Sequence, residues 1–322
     1  MKRREFIAAS AVLLVSPRRS LAQGKPRRIG FLGAWADEPA RDPLHAAWLN
    51  GLREKGWIEG KNLLVEYRFA SDRLPALAAE LVALTPELVV ALGPNPALAL
   101  KSATTTIPIV FVAVYDPVAI RLVQSLSRPG GNITGISDDA AVLTTKRLSL
   151  LKHLQPNLRR VAILWNRDDQ AMMLRYETSA KAAQTLGITV QTLAVQERDD
   201  FNGVLATMDS DPPEAILMVS DSLTDSNRKR VFDYTLAKRI PAIYESDPLV
   251  RDGGLMSYGS DPKESFERAA DFAARIFKGA RPGDLPFERP TRYPFVINLK
   301  TAKAMNLDIP ATLTALADEV IE

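Results

Sequence analysis

The chain has 322 residues, 46% of them hydrophobic and 25% charged, which is apolar material for one large or two ordinary cores. That balance excludes a disordered or collagenous chain, and the absence of cysteine excludes a disulfide-stapled one. The formal charge of +3 is concentrated at one end: without residues 1–22, the 41 basic and 38 acidic side chains become 36 and 37, so no nucleic-acid partner is expected.

In chain order, Lys2, Arg3 and Arg4 precede an apolar run from Ile7 to Val15, and Ser20-Leu21-Ala22 places small residues after it. This is the pattern of an export signal, and a run of nine residues is too short to span a bilayer. Arg3-Arg4-Glu5-Phe6-Ile7 resembles the twin-arginine export motif, and Arg18 and Arg19 favour that route. Lys2, where Ser or Thr is usual, leaves the general secretory route open. Residues 1–22 are expected to be removed on export. With no cysteine to carry a lipid anchor and no later apolar stretch of ~18 residues, the expectation is a soluble periplasmic protein without stable membrane insertion.

From Arg28 onward short apolar runs alternate with amphipathic windows, the pattern of strand–helix–strand units in parallel sheets. Strands are predicted at Arg28 to Gly33, Leu63 to Phe69, Leu88 to Leu92, Ile107 to Tyr115 and Ile133 to Ser137. Helices are predicted near Pro43 to Lys55, Arg73 to Leu84, Pro96 to Ala103 and Val118 to Leu126. The run from Ile109 to Tyr115 is apolar throughout, as a strand covered on both faces must be.

After a helix from Val142 to Leu154 a second series follows. Its strands are Val161 to Trp165, Ile188 to Val195, Ala215 to Val219, Ile240 to Tyr244 and Leu255 to Tyr258. Its helices are Gln170 to Leu186, Phe201 to Met208 and Asn227 to Arg239. Two series in the same order read as two doubly wound, Rossmann-like α/β lobes of parallel sheet. A last helix, Pro262 to Lys278, puts Phe266, Ala269, Ala273 and Ile276 or Phe277 on one face. It is expected to cross back to the first lobe, giving lobes of 26–138 plus 261–283 and 139–260 plus 284–322, joined by a hinge.

Two histidines, His45 and His153, and no cysteine leave no zinc cluster. No GxSxG, P-loop or HExxH motif occurs, and Gly30-Phe31-Leu32-Gly33 lacks the dinucleotide spacing. Neither enzyme activity, nor a metal, nor an organic cofactor is expected. The segments at the carboxyl ends of the predicted strands, where open α/β sheets bind ligands, combine aromatics, small hydroxyls or amides, and helix starts. The candidate ligand-binding residues there are Trp35, Asn95, Pro96, Ala97, Tyr115, Asp116, Ser137, Asn166, Ser220, Asp221, Tyr244 and Tyr258. Helix N-termini near Asn95 to Ala97 and Ser137 suit a carboxylate; Asp116, Asp221 or Glu245 suits an ammonium; the aromatic rings suit an apolar side chain. Together they describe an amino-acid-like solute.

Longer blocks carry a resemblance: Gly51-Leu52-Arg53-Glu54-Lys55-Gly56-Trp57, Ile107-Pro108-Ile109-Val110-Phe111, Asp116-Pro117-Val118, Ser127-Arg128-Pro129-Gly130-Gly131-Asn132, Gly253-Gly254-Leu255-Met256-Ser257-Tyr258-Gly259 and Ile297-Asn298-Leu299-Lys300-Thr301-Ala302-Lys303. In these, over nearly its whole length, the chain resembles the periplasmic substrate-binding proteins of ABC transporters with a type I binding fold, whose relatives include tryptophan and tyrosine binders. The resemblance implies two lobes closing on one small solute, and delivery to an ABC importer permease with its ATPase; a monomer is expected, since one solute per two-lobed chain satisfies that mechanism. At Gly93-Pro94-Asn95-Pro96 relatives more often place Thr or Ser after the glycine, so a hydroxyl donor is missing here and Asn95 is its substitute. A sensor for a membrane signalling partner would use the same closure, and an exported hydrolase working through carboxylates stays open as a third reading.

Overall fold

Val, Ile, Leu and Phe runs, bounded by Gly, Pro and Asn, build two open sheets in the computed structural model, which describes residues 25–34, 43–70, 72–138 and 140–322. The expected export signal and Trp35 lie outside the described residues. In the first half the elements are β1 (Arg27–Gly33), α1 (Pro43–Glu54), β2 (Leu63–Phe69), α2 (Leu74–Ala83), β3 (Leu88–Leu92), α3 (Pro94–Ala103), β4 (Ile109–Tyr115) and β5 (Ile133–Asp138). They form a five-stranded sheet in the order β2-β1-β3-β4-β5, parallel throughout.

The second half holds α4 (Ala140–Leu154), β6 (Arg160–Asn166), α5 (Gln170–Thr185), β7 (Thr189–Val195), α6 (Asp200–Ser210), β8 (Ala215–Met218), α7 (Ser222–Ser226), α8 (Arg228–Lys238), β9 (Ala242–Tyr244), α9 (Asp247–Arg251) and β10 (Met256–Tyr258). After α10 (Pro262–Phe277) come β11 (Phe295–Asn298), α11 (Leu299–Ala304), α12 (Ala311–Thr314) and β12 (Glu319–Ile321). The second sheet runs β12-β11-β10-β9-β8-β6-β7. Its strands β6 to β10, in the order β7-β6-β8-β9-β10, repeat the order of the first sheet. The tail adds β11 antiparallel to β10, with β12 parallel to β11.

Helix α10 owes its position to its apolar face. Phe266, Ala269, Ala270, Phe272 and Ala273 are buried with Ile29, Phe31 and Val110 of the first sheet and Trp48 of α1. Gly51 of α1 lets the two helices touch, since a Cβ there would sit 2.9 Å from that of Ala270. Past α10 the chain still runs along β5: Phe287 stacks on Phe111, and the Glu288 N–H donates to the Gly135 carbonyl at 3.1 Å. The return to the second sheet therefore comes after Glu288, later than residue 284, because Glu288 supplies the edge of β5 with its hydrogen-bond partner. Buried Glu264 ties this return to α10 by accepting from the N–H groups of Thr291 and Arg292, both at 3.0 Å.

One expected helix is absent. Over Val118 to Leu126 the chain makes a single turn in which the Leu122 and Val123 N–H groups both donate to Pro117 O. Arg121, at φ +57°, turns the backbone left-handed there, and helix does not continue through such a residue. α3 begins two residues earlier than predicted, with Pro94 at its first position, where a missing N–H costs nothing.

Candidate functional site

The strand order reverses between β1 and β3 in the first sheet and between β6 and β8 in the second, which places the crevice at the carboxyl ends of those strands. In the second half this crevice is a built polar site. Asn166 ends β6, and its Nδ2 donates to Asp221 Oδ2 at 2.6 Å across the switch point. Asp221 caps α7, its Oδ1 accepting from Thr224 N at 2.8 Å. Asp169 caps α5, accepting from Ala171 N at 2.8 Å.

Behind these lies a charge cluster. Arg147 of α4 and Arg175 of α5 are buried, and both grip Glu245 beyond β9. Arg147 Nη1 donates to Glu245 Oε1 at 2.9 Å, and its Nε donates to the Tyr258 carbonyl at 2.6 Å. Arg175 donates to Glu245 Oε2 and to the Ser220 carbonyl at 3.2 Å, and lies 3.3 Å from Asp138 at the end of β5. The Ser220 N–H donates to Glu245 Oε2 at 3.1 Å. Gly259 is required beside them, because a Cβ there would land on the Glu245 carbonyl oxygen.

The carboxyls in front of the arginines resist ionisation. Burial and the neighbouring Asp221 push Asp169 up to about 6. The enclosed carboxyl of Asp225, facing Asp221 as well, is pushed up to about 7. Burial raises Asp221 too, against the hydrogen bonds from Thr224 and Asn166. A cation arriving here would find carboxylates whose charge the fold leaves undercompensated.

The candidate residues separate on these facts. Asn166, Ser220 and Asp221 come together at one crevice, and Tyr258 is partly exposed beside it. In the first half, half-buried Asn95 and Tyr115 and exposed Asp116 occupy strand ends, with Asp116 Oδ1 accepting from Ala119 N at 2.9 Å. Pro96 and Ala97 are buried. With prolines at positions 94 and 96, the start of α3 offers fewer amide donors than an ordinary helix N-terminus.

Three expectations are corrected. Tyr244 is fully buried and packs edge-to-face on Phe232 at 5.2 Å, so its ring belongs to the outer core of the second sheet. Ser137 is a strand residue whose N–H and hydroxyl donate to the Glu288 carbonyl at 2.9 and 3.3 Å; the helix that starts near it, α4, begins at Ala140, and the Ser137 donors themselves are already engaged. Glu245 is saturated by two guanidiniums and the Ser220 amide, which leaves it no place for an ammonium. The residues that sequence reasoning missed, Arg147 and Arg175, carried a signal: each falls on the buried stripe of its helix, beside Thr144, Leu148 and Leu151 in one and Met172, Ser179 and Ala183 in the other. Among the described residues no group of three or more His, Cys, Asp or Glu is arranged to hold a metal ion, and no helix is long and apolar enough to cross a membrane.

Known proteins are similar to the chain in sequence and fold. Residues 34–321 match the family described as ABC transporter substrate binding protein. A tyrosine-binding protein of Clostridioides difficile is 25% identical over 286 residues, spanning 88% of this chain and 82% of the relative. A conserved domain protein from Vibrio cholerae superposes with a TM-score of 0.86 at 27% identity, over 92% of this chain and 100% of the other. An ABC domain from Streptococcus pneumonia in complex with L-Trp gives 0.83 at 27% identity over the same shares. With its paired α/β sheets of the type I periplasmic binding fold, the chain belongs to the ABC transporter substrate-binding protein family, whose members bind solutes and are not enzymes.

Proposed function

We propose that the protein captures an amino acid, or a small organic solute like it, between its two lobes outside the cytoplasmic membrane and hands it to the permease of an ABC importer. The observation that carries this reading is the switch-point site in which Asn166, Asp221 and Asp169 stand in front of buried Arg175. It offers undercompensated carboxylates to an ammonium. The relatives whose names specify a ligand, tyrosine in one and L-Trp in the other, point to the same class.

The lobes on this reading are residues 26–138 with 261–290, and 139–260 with 291–322. The chain passes between them near Asp138, near Gly259 and after Glu288, and such a triple crossing bends as a hinge. Asn95, Tyr115 and Asp116 would meet the solute from the first lobe, and Asn166, Ser220, Asp221 and Tyr258 from the second. A ligand shifts lobes toward closure only by binding the closed form more tightly, so contacts from both lobes are required.

A thermal-shift screen of the protein lacking residues 1–22, against the amino acids and small organic acids, tests this. A true solute at ~100 times its dissociation constant adds about 2.7 kcal/mol, a clear rise in melting temperature. If no amino acid raises it, the amino-acid reading is wrong. A strain deleted for the protein should also lose uptake of the solute so identified.

A further inference from the structure

Strand β4 is interior to its sheet, paired with β3 and β5, and it is buried from Ile109 to Val112 and again at Val114. Ala113 between them is exposed. The cause is a bulge: Phe111 pairs with Gly135 and Val114 with Ser137, so two residues of β4 face one of β5. Ala113 takes a left-handed φ of +57°, where a non-glycine residue is held only by its surroundings. Gly135, at φ +152°, locks the bulge in place. A Cβ on it would land on the Phe111 carbonyl oxygen, so nothing larger lets β4 lie this close.

A bulge re-aims side chains, and this one stands at the carboxyl end of a central strand, next to the crevice and one residue before Val114 and Tyr115. We propose that Ala113, turned out of the sheet by the bulge, forms the floor of the solute cleft and sets the size of solute side chain admitted. This rests on the reading of the strand ends as a solute cleft. A methyl group there leaves room for a bulky solute, and a larger residue would take that room.

The chain has no cysteine, so Ala113→Cys introduces a single thiol, and Thr207→Cys on exposed α6 is the control. Without solute, maleimide should label position 113 within about tenfold of the control rate, as an exposed position requires. Saturation with whichever of L-tryptophan or L-tyrosine raises the melting temperature of the parent should slow labelling at 113 at least tenfold and leave position 207 unchanged. Ala113→Asn, an amide residue that tolerates the left-handed conformation, should weaken the bulkiest bound amino acid at least tenfold more than the smallest. It serves as the second variant should Ala113→Cys fail to fold.

A thiol inert without solute overturns the proposal. So does labelling that a bound amino acid does not slow, or an Ala113→Asn variant with the affinity order of the parent. If no amino acid raises the melting temperature of the parent, the amino-acid reading falls by itself, and the proposal for position 113 then stands or falls on whether the small organic acid that does raise it slows labelling there at least tenfold.

Discussion

Glu245 has two guanidiniums on it and no solvent to replace them, since its side chain is 5% exposed and that of Arg147 is 1%. Removing one member of such a buried pair leaves uncompensated charge and costs about 3–5 kcal/mol. Glu245→Gln should lower the unfolding free energy by that order, seen as a lower urea midpoint at unchanged slope, and an unchanged midpoint would show the arginines have other support. The raised carboxyls give a pH dependence of determinate sign. Asp169 and Asp225 titrate near 6 and 7 in the folded protein, against a reference value of 3.8. The folded state then holds more protons than the unfolded between about pH 4 and 7, and stability contributed by these groups rises as pH falls through that window. Melting temperature should climb from pH 8 to pH 5.5, and Asp225→Asn should flatten the climb. Glu264 works the other way, because bonds from Thr291 and Arg292 outweigh its burial and depress it below 4.5, so its loss begins only at lower pH. A solute ammonium drawn to the carboxyls around Asp221 should expel protons at pH 7, because Asp225 is pushed up to about 7; calorimetry in buffers of different ionisation heat reads the release.

At the scale of elements, the contact between α1 and α10 has little tolerance. Gly51 already leaves a Cβ only 2.9 Å from Ala270, and Trp48, Leu52, Phe266 and Phe272 fill the space around it. Gly51→Val should cost about 1–3 kcal/mol by overpacking, measured as a lowered denaturation midpoint, whereas Gly51→Ala should cost less. An unaltered Gly51→Val protein would mean the helices can slide apart. Helix α10 was legible in sequence, because Asp261 and Pro262 mark its start and its apolar spacing marks its face. The turn after β4 was not. Its composition suits a helix, and only the left-handed backbone at Asp116 and Arg121 ends it after one turn. The short helices α7, α9, α11 and α12 escaped for a related reason: four to six residues are too few to show a helical period.

For the whole molecule, two sheets that share a five-strand order and three crossings between them predict a closure. X-ray scattering of the protein with the solute found by thermal shift should give a smaller radius of gyration than without it, at a mass of one chain; an unchanged radius would mean the lobes are fixed. The alternation of apolar runs and amphipathic windows by itself determined the class of fold and most strand positions. Burial on both faces forces a parallel strand to be apolar at every position, and that shows in one dimension. Tertiary structure alone decided which polar residues meet. Asn166 finds Asp221 across 55 positions, and Arg147 finds Glu245 across 98. Tyr244 turns into the core, and a one-residue bulge lifts Ala113 out of its sheet. Pairings of this kind depend on strand order, register and the direction of single side chains, and the periodicity of a chain carries information on none of them.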